Sequence, residues 1–262
     1  MSNMLRQKFT ASLIMTPREK WVYWPGGNSR EDFLDENGNL IYDVIPVIKE
    51  QKVVGIIRDR TFKIHPLTLD WCLTHDAMFD DLLKFFIEKQ KPACFLLKRD
   101  DFIGLVTPAD FNKAPARTAC YFRLAELEMR LAQFIGFRVE EDKILNALPA
   151  KRKDKILKSY NSTLSGNVDV SLVERLYLTD LLEIVKKTGL FELLGYRSKT
   201  QFHRGTQGLV KLRNQVMHPV RPLVENDREA LQHLYDRLCL IDRLSMKLKE
   251  LFTREPQADS TT

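Results

Sequence analysis

A repeated pair of short apolar runs limits how this chain can fold more than any other feature of its sequence. The runs at residues 45–48 and 53–57 flank a polar turn, and a similar pair recurs about fifty residues later at 95–97 and 102–106. Short apolar runs around a tight turn predict antiparallel strand pairs. Residues 80–90 carry apolar side chains at helical spacing, which predicts a helix before the second pair. A repeat of this length predicts two stacked copies of one unit.

The segment from Gly104 to Asp110 ends the second copy and carries the clearest chemical pattern of the first half. Thr107 suits a helix N-cap, Pro108 suits the first helical position, and Asp110 lies one turn in. A helix N-terminus offers free N–H groups to a phosphate, and a carboxylate can accept hydrogen bonds from ribose hydroxyls. The same Thr-x-x-Asp spacing is also an ordinary capping box, so both interpretations stay open.

The repeat and this motif resemble a tandem CBS pair, a regulatory module that often binds adenine nucleotides. The resemblance implies an α+β fold of βαββα-type units and a regulatory ligand similar to AMP, ADP or ATP. It implies that Thr107 and Asp110 contact phosphate and ribose, with Gly104 and Pro46 also at the site. No cofactor is implied for catalysis.

The first copy departs from the CBS pattern. Arg58 and Thr61 stand where the second copy has Thr107 and Asp110, which puts a first nucleotide site in doubt. Arg58 and its neighbour Arg60 could face the phosphates of a ligand in the other site, or could be solvated turn charges. Helix signals are also poor before the first strand pair, so this copy is expected to be trimmed.

Strand signals fade after Pro115, which divides a predicted first domain at residues 1–115 from a predicted all-helical domain at 116–255. A break is expected at Leu148-Pro149, Ser171 is expected to cap the third helix, and Gly189 to end it. Residues 256–262 are expected to form a disordered tail. Apolar side chains at helical spacing predict helices over residues 119–137, 140–161, 171–188 and 226–252.

The last predicted feature is the stretch of residues 209–218 just before Pro219, which contains Arg213 and His218 and is called the Arg-His stretch below. Proline disfavours helical geometry at the preceding residue, so the helix is expected to end near His218. Five residues turn through about 140° beyond one full turn, so Arg213 and His218 of one chain do not share a face. Two copies of the chain, related by a twofold axis, could bring both arginines and both histidines into one cleft. The apolar positions of this helix are Leu209, Leu212, Val216 and Val220.

These residue types suit the cleavage of RNA without a metal. An imidazole can give or take a proton at neutral pH, and a guanidinium can hold a phosphate and stabilise its developing charge. RNA supplies its own nucleophile, the 2′-hydroxyl. The structural alternative is a helix end with a surface arginine and a histidine near the C-terminal dipole.

Arg213-Asn214-x-x-x-His218 resembles the R-x4-H motif of HEPN-domain ribonucleases. The resemblance implies a homodimer with Arg213, Asn214 and His218 as catalytic residues. It also leaves a non-catalytic binding or dimerisation module open, because many HEPN domains are thought to be inactive. Glu126 and Glu128 could orient Arg213 or could be exposed helix carboxylates. The basic run at residues 151–155 could contact RNA or be a solvated face.

Composition adds modest constraints on partners and compartment. The net charge of +6 favours an anionic partner such as RNA, although a basic protein with no polymer partner fits equally well. No apolar run reaches the length of a membrane span, and no signal-peptide core is evident, so a cytoplasmic protein without a membrane partner is expected. Four scattered cysteines lack metal-site spacing, which predicts reduced thiols and no metal site: Cys72, Cys94, Cys120 and Cys239.

Together the residues and the two resemblances predict a ligand-regulated, metal-independent endoribonuclease. The chief alternative is a non-catalytic nucleotide sensor that dimerises or binds nucleic acid. A small-molecule enzyme regulated by the CBS pair is the weakest alternative, since no glycine-rich phosphate loop or nucleophile motif is present.

Overall fold

The computed structural model describes residues 9–27, 30–164, 171–225 and 228–253. The fold is mixed α+β, with a helical C-terminal region. The chain forms two compact units. The first contains the residues up to Ala119 together with Pro222–Tyr235, and the second contains Cys120–Arg221 and the residues from Asp236 onward.

A four-stranded sheet organises the first unit, and its strands lie in the order β1 (Thr16–Pro17), β6 (Asp101–Val106), β5 (Cys94–Lys98) and β4 (Cys72–Thr74). The predicted second strand pair is confirmed, since β5 (Cys94–Lys98) and β6 (Asp101–Val106) are antiparallel. β4 (Cys72–Thr74) runs parallel to β5 and is joined to it through α1 (Phe79–Lys89), because parallel neighbours need a crossover connection. β1 (Thr16–Pro17) pairs with the far edge of β6.

The first copy of the repeat is a hairpin with its own small core. β2 (Ile45–Lys49) and β3 (Lys52–Ile57) are antiparallel, as the sequence predicts, and they form a separate two-stranded sheet. Glu50 and Gln51 turn the chain with positive φ angles, as a two-residue hairpin requires. In the described parts of residues 18–44, the helical structure before the hairpin is limited to 3₁₀ turns, which agrees with the poor helix signals of that segment. The small core beside the β2–β3 hairpin consists of Trp24, Phe33, Ile45, Val47, Ile57 and Phe62.

The helix α1 forms where the sequence predicts it. Two acidic residues, Asp80 and Asp81, lie in its first turn and favour the positive end of the helix dipole. Gln90 adopts the left-handed conformation and ends the helix. The helix buries a wide apolar face in the first unit: Phe79, Leu82, Leu83, Phe85 and Phe86.

Long helices dominate the second unit. The predicted first helix is confirmed, but α2 (Ala114–Arg138) begins earlier than expected, and the predicted boundary at Pro115 lies in its first turn. Proline fits there because the first-turn N–H groups lack helical partners in any case. The break at Leu148-Pro149 is confirmed, since α3 (Glu141–Ala147) ends just before it and α4 (Ala150–Leu164) begins just after it.

The predicted third helix was wrong in its start and right in its end. A short 3₁₀ turn at Leu172–Arg175 replaces the first helical turns, and α5 (Leu178–Thr188) follows with Tyr177 as its N-cap. The reason is a capping contact, because the Tyr177 N–H donates to the Asp180 carboxylate at 2.9 Å. Gly189 ends the helix at φ +83°, as expected.

Two further helices complete the chain. Ser198 caps α6 (Lys199–Met217) through a hydrogen bond from the Gln201 N–H. α7 (Arg228–Thr253) has residues in both compact units. The expected cap of this helix, Asn226, and the expected tail at 256–262 lie outside the described residues. The predicted apolar stripe of α7 is buried: Leu231, Leu234, Leu238, Ile241, Leu244 and Leu248.

Two global expectations can be compared with the structure. Over the described ranges, no helix combines the length and the apolar character needed to cross a membrane. The four cysteines, all of which lie in the described part of the chain, form no disulfide bonds with one another. Burial raises the pKa of the Cys94 thiol and raises that of Cys72 to about 11, so neither is readily deprotonated.

Candidate functional site

The helix α6 carries the Arg-His stretch and ends where Pro219 predicts. His218 is its C-cap with an extended backbone, and the His218 N–H donates to the Asn214 carbonyl at 3.2 Å. Leu209, Leu212 and Val216 are buried, as expected for one face of a helix. The inclusion of Val220 in that face was wrong, since Val220 is 94% exposed. The chain has left the helical path before it reaches that residue.

The Arg213 side chain turns toward α2 and contacts Glu128. The Arg213 Nε lies 3.6 Å from the Glu128 Oε1, and the Arg213 side chain is 25% exposed. This contact favours the orienting role for Glu128. The other candidate, Glu126, instead accepts hydrogen bonds from Arg130 at 3.0 and 2.7 Å on the same helix.

The Arg213–Glu128 pair is loose. Burial raises the pKa of the Glu128 carboxyl above its ordinary value, although the Arg213 charge and the Leu178 N–H oppose the rise. The Glu128 Oε1 is buried and has no hydrogen-bond partner at normal distance among the described residues. A separation of 3.6 Å is longer than a charge-assisted hydrogen bond, so Arg213 keeps donors for a second anion.

The ring of an exposed tyrosine, Tyr177, contacts two guanidinium groups. Its ring centre is 5.4 Å from the Arg213 guanidinium and 4.4 Å from that of Arg152. Arg152 is fixed in turn by Asp180, to whose Oδ2 it donates from Nε at 2.9 Å and from Nη2 at 2.6 Å. Within the basic run at 151–155, the Arg152 side chain is thus largely buried and paired with Asp180. The sequence held no signal for this cluster, because Tyr177 and Arg213 are far apart along the chain.

The remaining predicted catalytic residues lie at the end of α6. His218 is exposed and Asn214 is half-buried. Within the described residues, no hydrogen bond or ion pair joins the side chains of Arg213 and His218. A single chain therefore does not pair the Arg213 side chain with that of His218, and their meeting in a dimer stays a prediction.

The first unit contains a second candidate site, a cavity of about 610 Å³. Two of the four predicted nucleotide-binding residues, Thr107 and Pro46, line it. Neither Arg58 nor Arg60 is among its lining residues, and Arg58 lies over the Trp71 ring instead. The charged and aromatic side chains that line the cavity are Lys20, Lys91, Arg228, Asp43, Trp21, Tyr42 and Phe86.

Asp110 and Gly104 do not line this cavity, and the fold accounts for both without a ligand. The Asp110 Oδ2 accepts hydrogen bonds from the Thr107 N–H at 2.6 Å and from the Thr107 hydroxyl at 3.0 Å. The Asp110 Oδ1 pairs with the Lys113 Nζ at 2.7 Å. At Gly104, an added Cβ would overlap the Met15 side chain, so a larger residue at this strand position would force Met15 to move.

In the described part of the chain, no cluster of three or more His, Cys, Asp or Glu side chains is arranged to hold a metal ion. Comparison with known protein-family models gave no match for this chain, and comparison with curated protein sequences gave none either.

Proposed function

We propose that this chain is a ligand-regulated, metal-independent endoribonuclease. Two copies of the helical half would form the RNA-cleaving centre, and the first unit would sense an adenine nucleotide. The observation that carries the proposal is the state of Arg213. Its guanidinium is oriented by Glu128 and Tyr177, yet it is partly exposed and only loosely paired. It lies on the helix that ends at the exposed His218.

In the proposed reaction the RNA provides the nucleophile. One His218 takes the proton of the 2′-hydroxyl while the 2′-oxygen forms a bond to phosphorus. The bond from phosphorus to the 5′-oxygen breaks, and a second His218 from the other copy protonates that oxygen. Arg213 binds the phosphate and stabilises the charge that develops on it, while Asn214 steadies the backbone or the phosphate. The products carry a 2′,3′-cyclic phosphate and a 5′-hydroxyl.

The regulatory part of the proposal rests on the cavity of the first unit. Its lining includes Thr107 and Pro46 from the CBS-like motifs and Arg228, the first residue of α7. Since α7 also has residues in the second unit, a ligand at Arg228 touches an element that both units share. Binding of an adenine nucleotide is therefore expected to change the rate of RNA cleavage.

A second candidate function is a non-catalytic sensor that dimerises or binds nucleic acid. One observation favours it, namely that Arg213 already has an anionic partner in Glu128 and forms no hydrogen bond or ion pair with the side chain of His218. RNA binding alone needs only the positive charge of Arg213 and its neighbours. Catalysis also needs His218, so that residue separates the two functions.

The decisive experiment measures cleavage of labelled single-stranded RNA by the chelator-treated full chain, with AMP, ADP, ATP or no nucleotide. We expect 2′,3′-cyclic phosphate products, no cleavage of 2′-deoxy-substituted RNA, and loss of activity in His218→Ala. His203→Ala is the matched control, because His203 is another exposed histidine on α6. If wild type binds RNA but cuts none under any condition, the non-catalytic function replaces the proposed one.

A further inference from the structure

The cavity of the first unit contains charged groups that have no partner of opposite charge among the described residues. From them we propose that a nucleotide is held by Asp43 at its ribose hydroxyls and by Arg228 and Lys20 at its phosphates. This inference rests on the proposed nucleotide sensing and moves its polar contacts away from Asp110. None of the three residues belongs to the motif that suggested the site.

The cations of the cavity favour an anionic ligand. Lys91 is already neutralised, because its Nζ lies 2.9 Å from the Asp70 carboxylate. Lys20 and Arg228 have no acidic partner among the described residues. The Arg228 Nη2 donates to the Ile87 carbonyl at 2.9 Å, which fixes the guanidinium while leaving other donors free. Unpaired positive charge in a concave site attracts and orients phosphate.

Asp43 supplies the opposite kind of group. Of the residues that line the cavity it is the one carboxylate, and it has no hydrogen bond or ion pair with any other described residue. A carboxylate repels phosphate but accepts hydrogen bonds from hydroxyls, so a vicinal ribose diol suits it. Asp110 is not free for this contact, because both of its oxygens are engaged by Thr107 and Lys113.

The remaining walls suit a nucleobase. The volume of about 610 Å³ lies within the range of roughly 300–1,000 Å³ that small-molecule sites occupy. Tyr42 is partly exposed at the cavity, and Trp21 is buried in its wall. A ligand that offers a phosphate, a vicinal diol and an aromatic ring to these groups is a nucleoside phosphate. The apolar residues that could contact a base are Val44, Pro46, Pro92, Ala93 and Leu105.

Calorimetry on the full chain tests this assignment, with AMP, ADP, ATP, adenosine and 2′,3′-dideoxy-ATP as probes. Wild type is expected to bind ATP roughly ten- to a hundredfold more tightly than dideoxy-ATP, the effect of a charged hydrogen bond. Asp43→Asn should weaken ATP binding by a similar factor and abolish that preference. Asp100→Asn, an exposed carboxylate in the β5–β6 turn, is the control and should change neither quantity.

A second set of variants tests the phosphate contacts. Arg228→Gln and Lys20→Gln should weaken ATP binding more than adenosine binding, and added salt should reduce the difference. Lys63→Gln is the control, because Lys63 is exposed in the same unit and does not line the cavity. Thermal unfolding of each variant shows whether the fold is retained.

The outcomes separate this inference from the function it rests on. If wild type binds no nucleotide at millimolar concentration, nucleotide sensing and the inference both fail. If wild type binds ATP and Asp43→Asn keeps the ribose preference, sensing stands and the assignment of Asp43 is overturned. A loss of ribose preference in Asp110→Asn, with Asp43→Asn unaffected, would return the role to the motif residue.

Discussion

Replacing Glu128 by glutamine separates what this residue does for stability from what it does for Arg213. Burial raises the pKa of the Glu128 carboxyl despite the nearby Arg213, so the fold disfavours the ionised form. The ion pair joins atoms 3.6 Å apart, with side chains 25% and 28% exposed, and such pairs contribute about 0–1 kcal/mol. Glu128→Gln loses that contribution but no longer buries a charge. We expect the free energy of unfolding at pH 7.5 to change by less than about 1 kcal/mol.

The raised pKa of Glu128 fixes the direction in which its contribution to stability changes with pH. An acid with a raised pKa in the folded state binds more protons there than in the unfolded state. Its contribution to stability is therefore full below the ordinary pKa of 4.5 and is lost as the pH rises through the folded pKa. Denaturant unfolding of wild type and Glu128→Gln between pH 4 and pH 8 should show wild type losing stability relative to the variant as the pH rises.

The same substitution should impair RNA cleavage. A glutamine no longer attracts Arg213, and a misplacement of about 1 Å in a catalytic group costs on the order of a hundredfold in rate. Glu126→Gln is the matched control, because it removes an Arg130 pair on the same helix and should cost only about 0.3–0.5 kcal/mol. A loss of more than about 2 kcal/mol in Glu128→Gln at pH 7.5 would refute the reasoning, since the carboxylate would then be a net stabilising group.

Three further outcomes are expected. Asp180→Ala should lower the free energy of unfolding by about 3 kcal/mol, because it leaves the Arg152 guanidinium without its carboxylate. Denaturant unfolding measures this change, and a loss below about 1 kcal/mol would contradict the expectation. Gly104→Ala should cost about 1–3 kcal/mol through overpacking against Met15, and the compensating Met15→Ala should recover part of that loss. Light scattering of the full chain should give a dimer at micromolar concentration, and a monomer would count against a pooled catalytic site.

Local patterns in the sequence determined most of the elements. The two strand pairs follow from short apolar runs on either side of polar turns, and α1 follows from the helical spacing of its apolar residues. Proline fixed two boundaries, the break at Leu148-Pro149 and the end of α6 before Pro219. These features depend on near neighbours along the chain, which is why pattern and turn chemistry predict them. The prediction that Val220 is buried was wrong because it extended the helical spacing beyond Pro219, before which the helix ends.

The tertiary structure alone decided how the candidate sites are built. α5 begins just after its N-cap Tyr177, whose capping partner Asp180 is held by Arg152 from another helix. Glu128 meets Arg213, and Asp43 shares a cavity with Arg228, across long stretches of chain. Asp110 could be a cap or a ligand from its spacing, and only its contacts with Thr107 and Lys113 show that both oxygens are engaged. Pairing between side chains distant in sequence depends on the packing of whole elements, which local periodicity does not encode.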